Sequence, residues 1–304
     1  MTSVNCREIT MSYEDEGSGE PLVLVHGHPF DRSMWRPQIE HFSQAGWRVI
    51  APDLRGYGQS TVTPGTTPLE TFARDLLALL DRLGIERFVL GGLSMGGQIV
   101  MECYRLFPER IRGLVFADTF AAAETEEGRT ARRNMAARLL REGMTGYAQE
   151  VLAKMVSAHT LAHRPEVAAH VLAMMTATPP EGAAAALRGR AERPDYGDLL
   201  TRVSVPALVV VGTEDAYTPV SDARDIHARV PDATLTLIER TGHLPNLERP
   251  DAFNTALAEF LHALPDNSLP DNSLPDNPLP GSTSGAHPLL PSPTPPGPRG
   301  VTQP

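Results

Sequence analysis

Cysteine is nearly absent. Cys6 and Cys103 are the only two in 304 residues and stand far apart. Both are read as reduced thiols, which excludes a disulfide framework and implies a cytoplasmic setting. Lysine is scarcer still: Lys154 stands alone, so the 27 basic residues are otherwise arginine. That bias fits a GC-rich coding sequence of the kind common in soil bacteria. No apolar run approaches the ~20 residues needed to cross a bilayer. Met1 to Glu16 carries charges and no apolar segment, so no signal peptide is expected. Basic clusters are missing too, and the formal net charge is -10. A phosphate backbone is therefore not an expected partner, and neither is a membrane.

What is present is a chain rich enough in apolar residues, at 41%, for a sizeable core. Pro21 to His26, Trp47 to Ala51, Phe88 to Leu90, Gly113 to Asp118, Pro206 to Val211 and Ala233 to Ile238 are short apolar runs. Continuous runs of this kind are strands of a parallel sheet covered on both faces. Helical patterns alternate with them at Ser33 to Ala45, Leu69 to Leu83, Val220 to Val230 and Pro250 to Leu264. Arg7 to Tyr13 reads as an edge strand, and Glu14 to Glu20 as an acidic turn. Between about Thr125 and Arg193 the alternation stops and only helical patterns remain, at Thr130 to Glu142, Gly146 to Ala158, Pro165 to Thr176 and Gly182 to Glu192. The expected organisation is an α/β core over 1–122 and 197–264, with a helical cap inserted at 123–196. Residues 265–304 repeat Leu-Pro-Asp-Asn-Ser and continue Pro-rich, so they are expected to be a disordered tail.

One stretch organises the chemistry. Gly92-Leu-Ser94-Met-Gly96 matches G-x-S-x-G, with a strand before it and a helix after it. A strand that turns at once into a helix strains the turn residue and demands small neighbours. It also holds the serine hydroxyl at the sheet's C-terminal edge, beside free helix N–H groups. A serine needs a base, and the base needs an orienting acid. Strand ends supply both in the chain order Ser94, Asp215, His243. Glu214 is the rival acid. The oxyanion hole is expected from the N–H of Met95 and that of His28, with Phe30 as the alternative donor. Asp53, Arg55 and Ser60 occupy another strand end and are read as structural.

Together with His26-Gly-His-Pro29, Asp53-Leu-Arg-Gly-Tyr-Gly-Gln-Ser60, Gly212-Thr-Glu-Asp215 and Gly242-His243, these motifs make residues 4 to 264 resemble the α/β-hydrolase superfamily. The Gly-Leu-Ser-Met-Gly-Gly form resembles the branch of aryl esterases, enol-lactonases and cofactor-free haloperoxidases or perhydrolases. Epoxide hydrolases and haloalkane dehalogenases have aspartate where Ser94 stands, which argues against both. The resemblance implies an α/β-hydrolase fold, with a mostly parallel doubly wound sheet of the eight-stranded type and a helical cap.

The expected activity is metal-free, cofactor-free hydrolysis of a carboxylic ester or lactone of a small, largely apolar molecule through an acyl-enzyme. The alternatives are perhydrolysis or halogenation through a peracid, a lyase or cyclase of secondary metabolism, and a slow-turnover small-molecule receptor. Two metal patterns fail on spacing. His26-x-His28 with Asp31 misses HxHxDH, and His159 with His163 lacks the glutamate of H-E-x-x-H. The substrate pocket is expected to be apolar, built from Phe30, Met135, Leu139, Met144 and Leu244, with other soft cap residues such as Met155. Arg129, Arg132, Arg133, Arg138 and Arg141 are expected on a solvated helix face.

Overall fold

A computed structural model describes residues 2–265. The repeat-bearing tail beyond them lies outside the described residues. Eight strands form one sheet: β1 Thr2–Cys6, β2 Ile9–Glu16, β3 Glu20–Val25, β4 Trp47–Pro52, β5 Phe88–Leu93, β6 Ile111–Ala117, β7 Ala207–Gly212 and β8 Ala233–Ile238. Their order is β1-β2-β4-β3-β5-β6-β7-β8. β1 and β2 are antiparallel to each other, and β2 is antiparallel to β4; every other pair is parallel. The mostly parallel sheet and its α/β-hydrolase architecture are as the sequence implies.

The apolar runs are continuous because both sheet faces are covered. In β3, Val23 and Val25 belong to one hydrophobic cluster, and Leu22 and Leu24 to the other. Each buried aliphatic side chain of this kind contributes about 1.5–3 kcal/mol. The helices that cover the faces are α1 Arg36–Gln44, α2 Leu69–Arg82 and α3 Met95–Leu106. In α2, Leu69, Phe72, Ala73, Leu76, Leu79 and Leu80 are buried, a single stripe at three- and four-residue spacing.

Between β6 and β7 the chain is helical: α4 Glu126–Glu142, α5 Thr145–Met155, α6 Ala158–His163, α7 Pro165–Ala177, α8 Pro180–Ala191 and α9 Gly197–Leu200. Here α4 packs along α8, and α5 along α7. Bonds that tie this layer to the core include Thr67 N–H to Ala185 O at 3.0 Å, His243 N–H to Met155 O at 3.0 Å, and Thr178 Oγ1 to Pro29 O at 2.9 Å. After β7 come α10 Val220–Arg229, α11 Pro245–Glu248 and α12 Pro250–Ala263. Among the described residues no helix is long and apolar enough to cross a membrane.

The N-terminus differs from its sequence reading. It forms a hairpin, with Arg7 at φ 55 between β1 and β2, and β2 runs on to Glu16. β1 reads Thr-Ser-Val-Asn-Cys and lacks an apolar pattern; pairing with β2 supplies what its composition does not. In the cap, α4 starts four residues earlier than the pattern indicates because Thr125 Oγ1 accepts from Gly128 N–H at 3.1 Å. The expected helix through Ala158 stops at Met155, and Ser157 caps a new one by accepting from Thr160 N–H.

Candidate active site

Ser94 sits between the end of β5 and the start of α3 with φ 57 and ψ -115. A non-glycine residue there stores about 1–3 kcal/mol of strain. Two glycines make the turn possible. A Cβ on Gly92 would lie 2.4 Å from the Gly96 carbonyl carbon, and one on Gly96 would lie 2.2 Å from Val25 O. The turn is pinned by Ser94 N–H to Ala117 O at 2.9 Å and Thr119 Oγ1 to Ser94 O at 2.7 Å. Met95 opens α3, so its N–H is one of the helix's free first-turn donors.

Asp215 lies just past β7 and His243 just past β8. His243 Nδ1 meets Asp215 Oδ2 at 2.8 Å, and both side chains are buried. Asp215 Oδ1 accepts from Tyr217 N–H at 2.7 Å and Thr218 N–H at 3.1 Å, while Thr218 Oγ1 donates to Oδ2. Burial by itself would raise the Asp215 carboxyl. The His243 contact and the Thr218 and Tyr217 donors outweigh burial and hold it below the usual carboxylate range. Glu214, the rival acid, is exposed. Ser94 and His243 line the same cavity. Among the described residues no hydrogen bond joins them; such contacts commonly tighten only with substrate bound.

Of the two expected loop donors, Phe30 N–H is already spent on Gly27 O at 3.1 Å. That leaves His28, which lines the cavity. The His28 ring contacts Tyr57 Oη through Nδ1 at 2.8 Å. His26 is turned away from chemistry: its Nε2 accepts from Leu54 N–H at 2.9 Å, and its Nδ1 meets Gly27 O at 2.8 Å. Asp53 is likewise fully engaged, accepting from Arg32 N–H at 2.9 Å, Gln59 N–H at 2.8 Å and the Arg32 guanidinium. Arg55 is bound at both ends of its fork by Asp75, at 2.7 and 2.9 Å.

The cavity beside Ser94 has a volume of about 190 Å³. Phe120, Met155 and Leu187 give it apolar wall, Tyr147 and Tyr217 give it phenols, and Arg132 and Arg190 give it guanidinium groups. This corrects the expected apolar lining. Phe30, Leu139, Met144 and Leu244 are buried in the hydrophobic cluster between sheet and cap, and Met135 packs against it; none of the five lines this cavity. The reason lies in α4. Arg132, Ala136 and Leu139 are spaced i, i+4, i+7, so Arg132 prolongs the buried stripe by one turn and reaches the cavity. Its side chain is only 19% exposed, against 51% for Arg133 and 65% for Arg141, which do face solvent.

Two carboxyl groups at the site were not singled out from the sequence. Asp118, just past β6, is buried beside the Asp215–His243 pair, and the three side chains bring potential ligand atoms within 4.8 Å of one another. The hydrogen bonds already made by Asp215 account for that grouping without a cation. Asp118 Oδ1 accepts from Gly212 N–H at 2.9 Å, and Oδ2 has no partner. Burial, and then the charge of Asp215, push the Asp118 carboxyl well above its ordinary range, favouring the neutral acid. Its signal was the strand-end rule itself, which applies to β6 as it does to β7. Glu248 is the second. Its Oε1 accepts from Gly242 N–H at 2.8 Å and Leu244 N–H at 3.4 Å, on either side of His243. Its Oε2 accepts from Ser157 N–H at 2.8 Å and Thr160 Oγ1 at 2.7 Å, both in the cap. Nothing in Pro-Asn-Leu-Glu marks that role.

Comparison with known proteins agrees with this fold. The chain is similar to 3-oxoadipate enol-lactonase 2 of Acinetobacter baylyi, 31% identical over 84% of this chain and 94% of the other. It is also similar to a putative non-heme chloroperoxidase of a Synechocystis strain, 26% identical over 84% and 96% of the two chains. Among solved structures, a thermophilic esterase from Thermogutta terrifontis, with malate bound, superposes with a TM-score of 0.83 at 39% identity, covering 86% of this chain and 97% of that one. Residues 20–250 match the family described as alpha/beta hydrolase fold, and with the elbow, the buried acid–imidazole pair and the eight-stranded sheet already in place, the chain belongs to the α/β-hydrolase family.

Proposed function

We propose that this α/β-hydrolase, an enzyme acting on esters or lactones, cleaves its substrate through an acyl-enzyme on Ser94. Ser94 Oγ attacks the carbonyl carbon as His243 Nε2 takes the hydroxyl proton. The N–H groups of Met95 and His28 receive the developing oxyanion, and each such donor is worth about 10²–10³ in rate. Collapse of the tetrahedral intermediate breaks the acyl–oxygen bond, and His243 returns the proton to the leaving alcohol. Water then attacks the acyl group with His243 again as base, releasing the acid and restoring the serine. Asp215 holds the imidazole in the tautomer that carries hydrogen on Nδ1. The observation that carries this reading is the 2.8 Å Asp215–His243 contact behind an imidazole that lines the same cavity as the strained Ser94. The similarity to an enol-lactonase and an esterase supports the bond class. Similarity to a non-heme chloroperoxidase supports a second reading, in which hydrogen peroxide replaces water at the same acyl-enzyme.

Turnover of a 4-nitrophenyl ester by the Ser94→Ala variant is the test. A loss of about 10⁴ or more, with an unchanged circular dichroism spectrum, is expected. More than a tenth of the wild-type rate in the purified variant would end the serine-nucleophile reading.

A further inference from the structure

The cavity holds more positive charge than its protein partners neutralise. Arg132, Arg190 and Arg193 come together in the cap. Glu124 bonds two of them, Arg132 at 2.7 Å through Nε and Arg193 through its Nη1. Arg193 also stacks over Phe120, 4.5 Å from the ring centroid. Arg190 is left over. It is 6% exposed, and its Nε donates to a neutral oxygen, Gln98 Oε1, at 3.0 Å. Among the described residues no carboxylate forms an ion pair with it, and its terminal nitrogens meet no acceptor. Taking a guanidinium out of water without a counter-charge is costly, and such groups are ordinarily paired. A second polar group on the same cavity is also unfilled: His28 is 5% exposed, and its Nε2 is buried without a partner. Burial first, then Arg190 and Arg132, push the His28 imidazole well below its ordinary range, so these cations lie near it.

We propose that Arg190, with Arg132 and His28, forms an anion subsite beside Ser94 that takes a carboxylate carried by the substrate. The inference rests on Ser94 being the nucleophile for that substrate. The guanidinium presents paired donors that match the two oxygens of a carboxylate. In the tautomer in which Nδ1 accepts from Tyr57 Oη, His28 carries its hydrogen on Nε2 and offers a third donor. Because the cavity is small and shared with the ester group, the carboxylate belongs to a short molecule, such as a half-ester or lactone of a dicarboxylic acid. The excess charge then has a function: it selects acyl or alcohol groups that bear an anion, and it disfavours purely aliphatic esters of the same length.

Two measurements test this. In the first, glutarate and its uncharged analogue glutaramide are titrated calorimetrically into wild type and Arg190→Met. The subsite predicts that glutarate binds wild type, that glutaramide binds at least roughly tenfold more weakly, and that Arg190→Met loses about ten- to hundredfold in glutarate affinity. In the second, kcat/KM is compared for the 4-nitrophenyl half-ester of glutarate and for 4-nitrophenyl hexanoate. The half-ester should be preferred, and the preference should fall at least roughly tenfold in Arg190→Met. Equal binding of glutarate and glutaramide, unchanged glutarate affinity in the variant, or a preference for hexanoate would overturn the subsite. Should Arg190→Met fail to fold, the two wild-type comparisons decide alone. Glutarate binding without turnover of either ester would sink the hydrolase reading and leave the subsite standing. Ester turnover without discrimination would do the reverse.

Discussion

Core and cap treat buried charge in opposite ways. In the core, Asp75 is held by the fork of Arg55, Asp53 by Arg32 and two backbone donors, and Asp215 by His243 and Thr218. Each ion has its partner within the protein, so the scaffold is complete before any substrate arrives. In the cap, Glu124 bonds two of three clustered guanidinium groups, Arg132 and Arg193, and Arg132 and the unpaired Arg190 border the cavity. These core carboxylates are thus partnered within the protein, whereas the cap leaves the Arg190 guanidinium without a carboxylate among the described residues. On the reading proposed above, bond chemistry belongs to the strand ends and substrate selection to the helices above them.

The largest test of this division removes the core's acid. Asp215→Asn should lower kcat by about 10⁴, roughly 5.5 kcal/mol, since the imidazole loses both its orientation and its tautomer. Glu214→Gln, one residue earlier, should stay within about twofold because that side chain is exposed. Steady-state kinetics on the two variants decides the assignment; a larger loss in Glu214→Gln would reverse it. A middling effect is expected at the seam. Glu248 joins the His243 loop to the cap through four donors and is 2% exposed. Glu248→Ala would strand several of them, at a cost of about 2–4 kcal/mol or roughly 5–15 °C in Tm. Calorimetry should show that loss, and an unchanged Tm would mean that cap and core are joined without it.

The smallest effect concerns Asp118, a buried core carboxyl without a counter-charge. Asp118 is shifted upward by burial and by Asp215, so the folded protein holds a proton there that the unfolded chain releases at lower pH. Native stability must then decline as pH rises from the ordinary aspartate range toward that raised value. Asp118→Asn keeps the Gly212 bond and removes the ionisation. Its Tm should exceed wild type by a few degrees near pH 8 and converge with it near pH 4. A variant less stable than wild type at pH 8 would show that the ionised form is wanted.

Most of the core was legible because parallel strands repeat one pattern, and chemistry follows their C-terminal ends. Ser94, Asp215 and His243 could be placed beside one another from chain order, and Gly92 and Gly96 from the turn they permit. Asp118 obeyed the same rule and was passed over, since β6 ends in no catalytic motif. The hairpin of β1 with β2 escaped because its polar strand owes its structure to pairing rather than to pattern. The cap was legible as helices but not as a site. Which face of α4 or α8 meets the cavity depends on how the helices cross. Arg190 sits in an alanine-rich helix buried nearly all round, where spacing gives no direction. Only Arg132, in register with Ala136 and Leu139, left a readable trace.

The proposed reaction turns on acylation of Ser94. Wild-type protein mixed with 4-nitrophenyl acetate and quenched in acid within the first turnover should carry one acyl group, mapped by peptide mass spectrometry to the peptide containing Ser94. His243→Ala should fail to accumulate it on the same timescale. Acylation of another residue, or continued turnover with no acyl group on Ser94, would contradict the account.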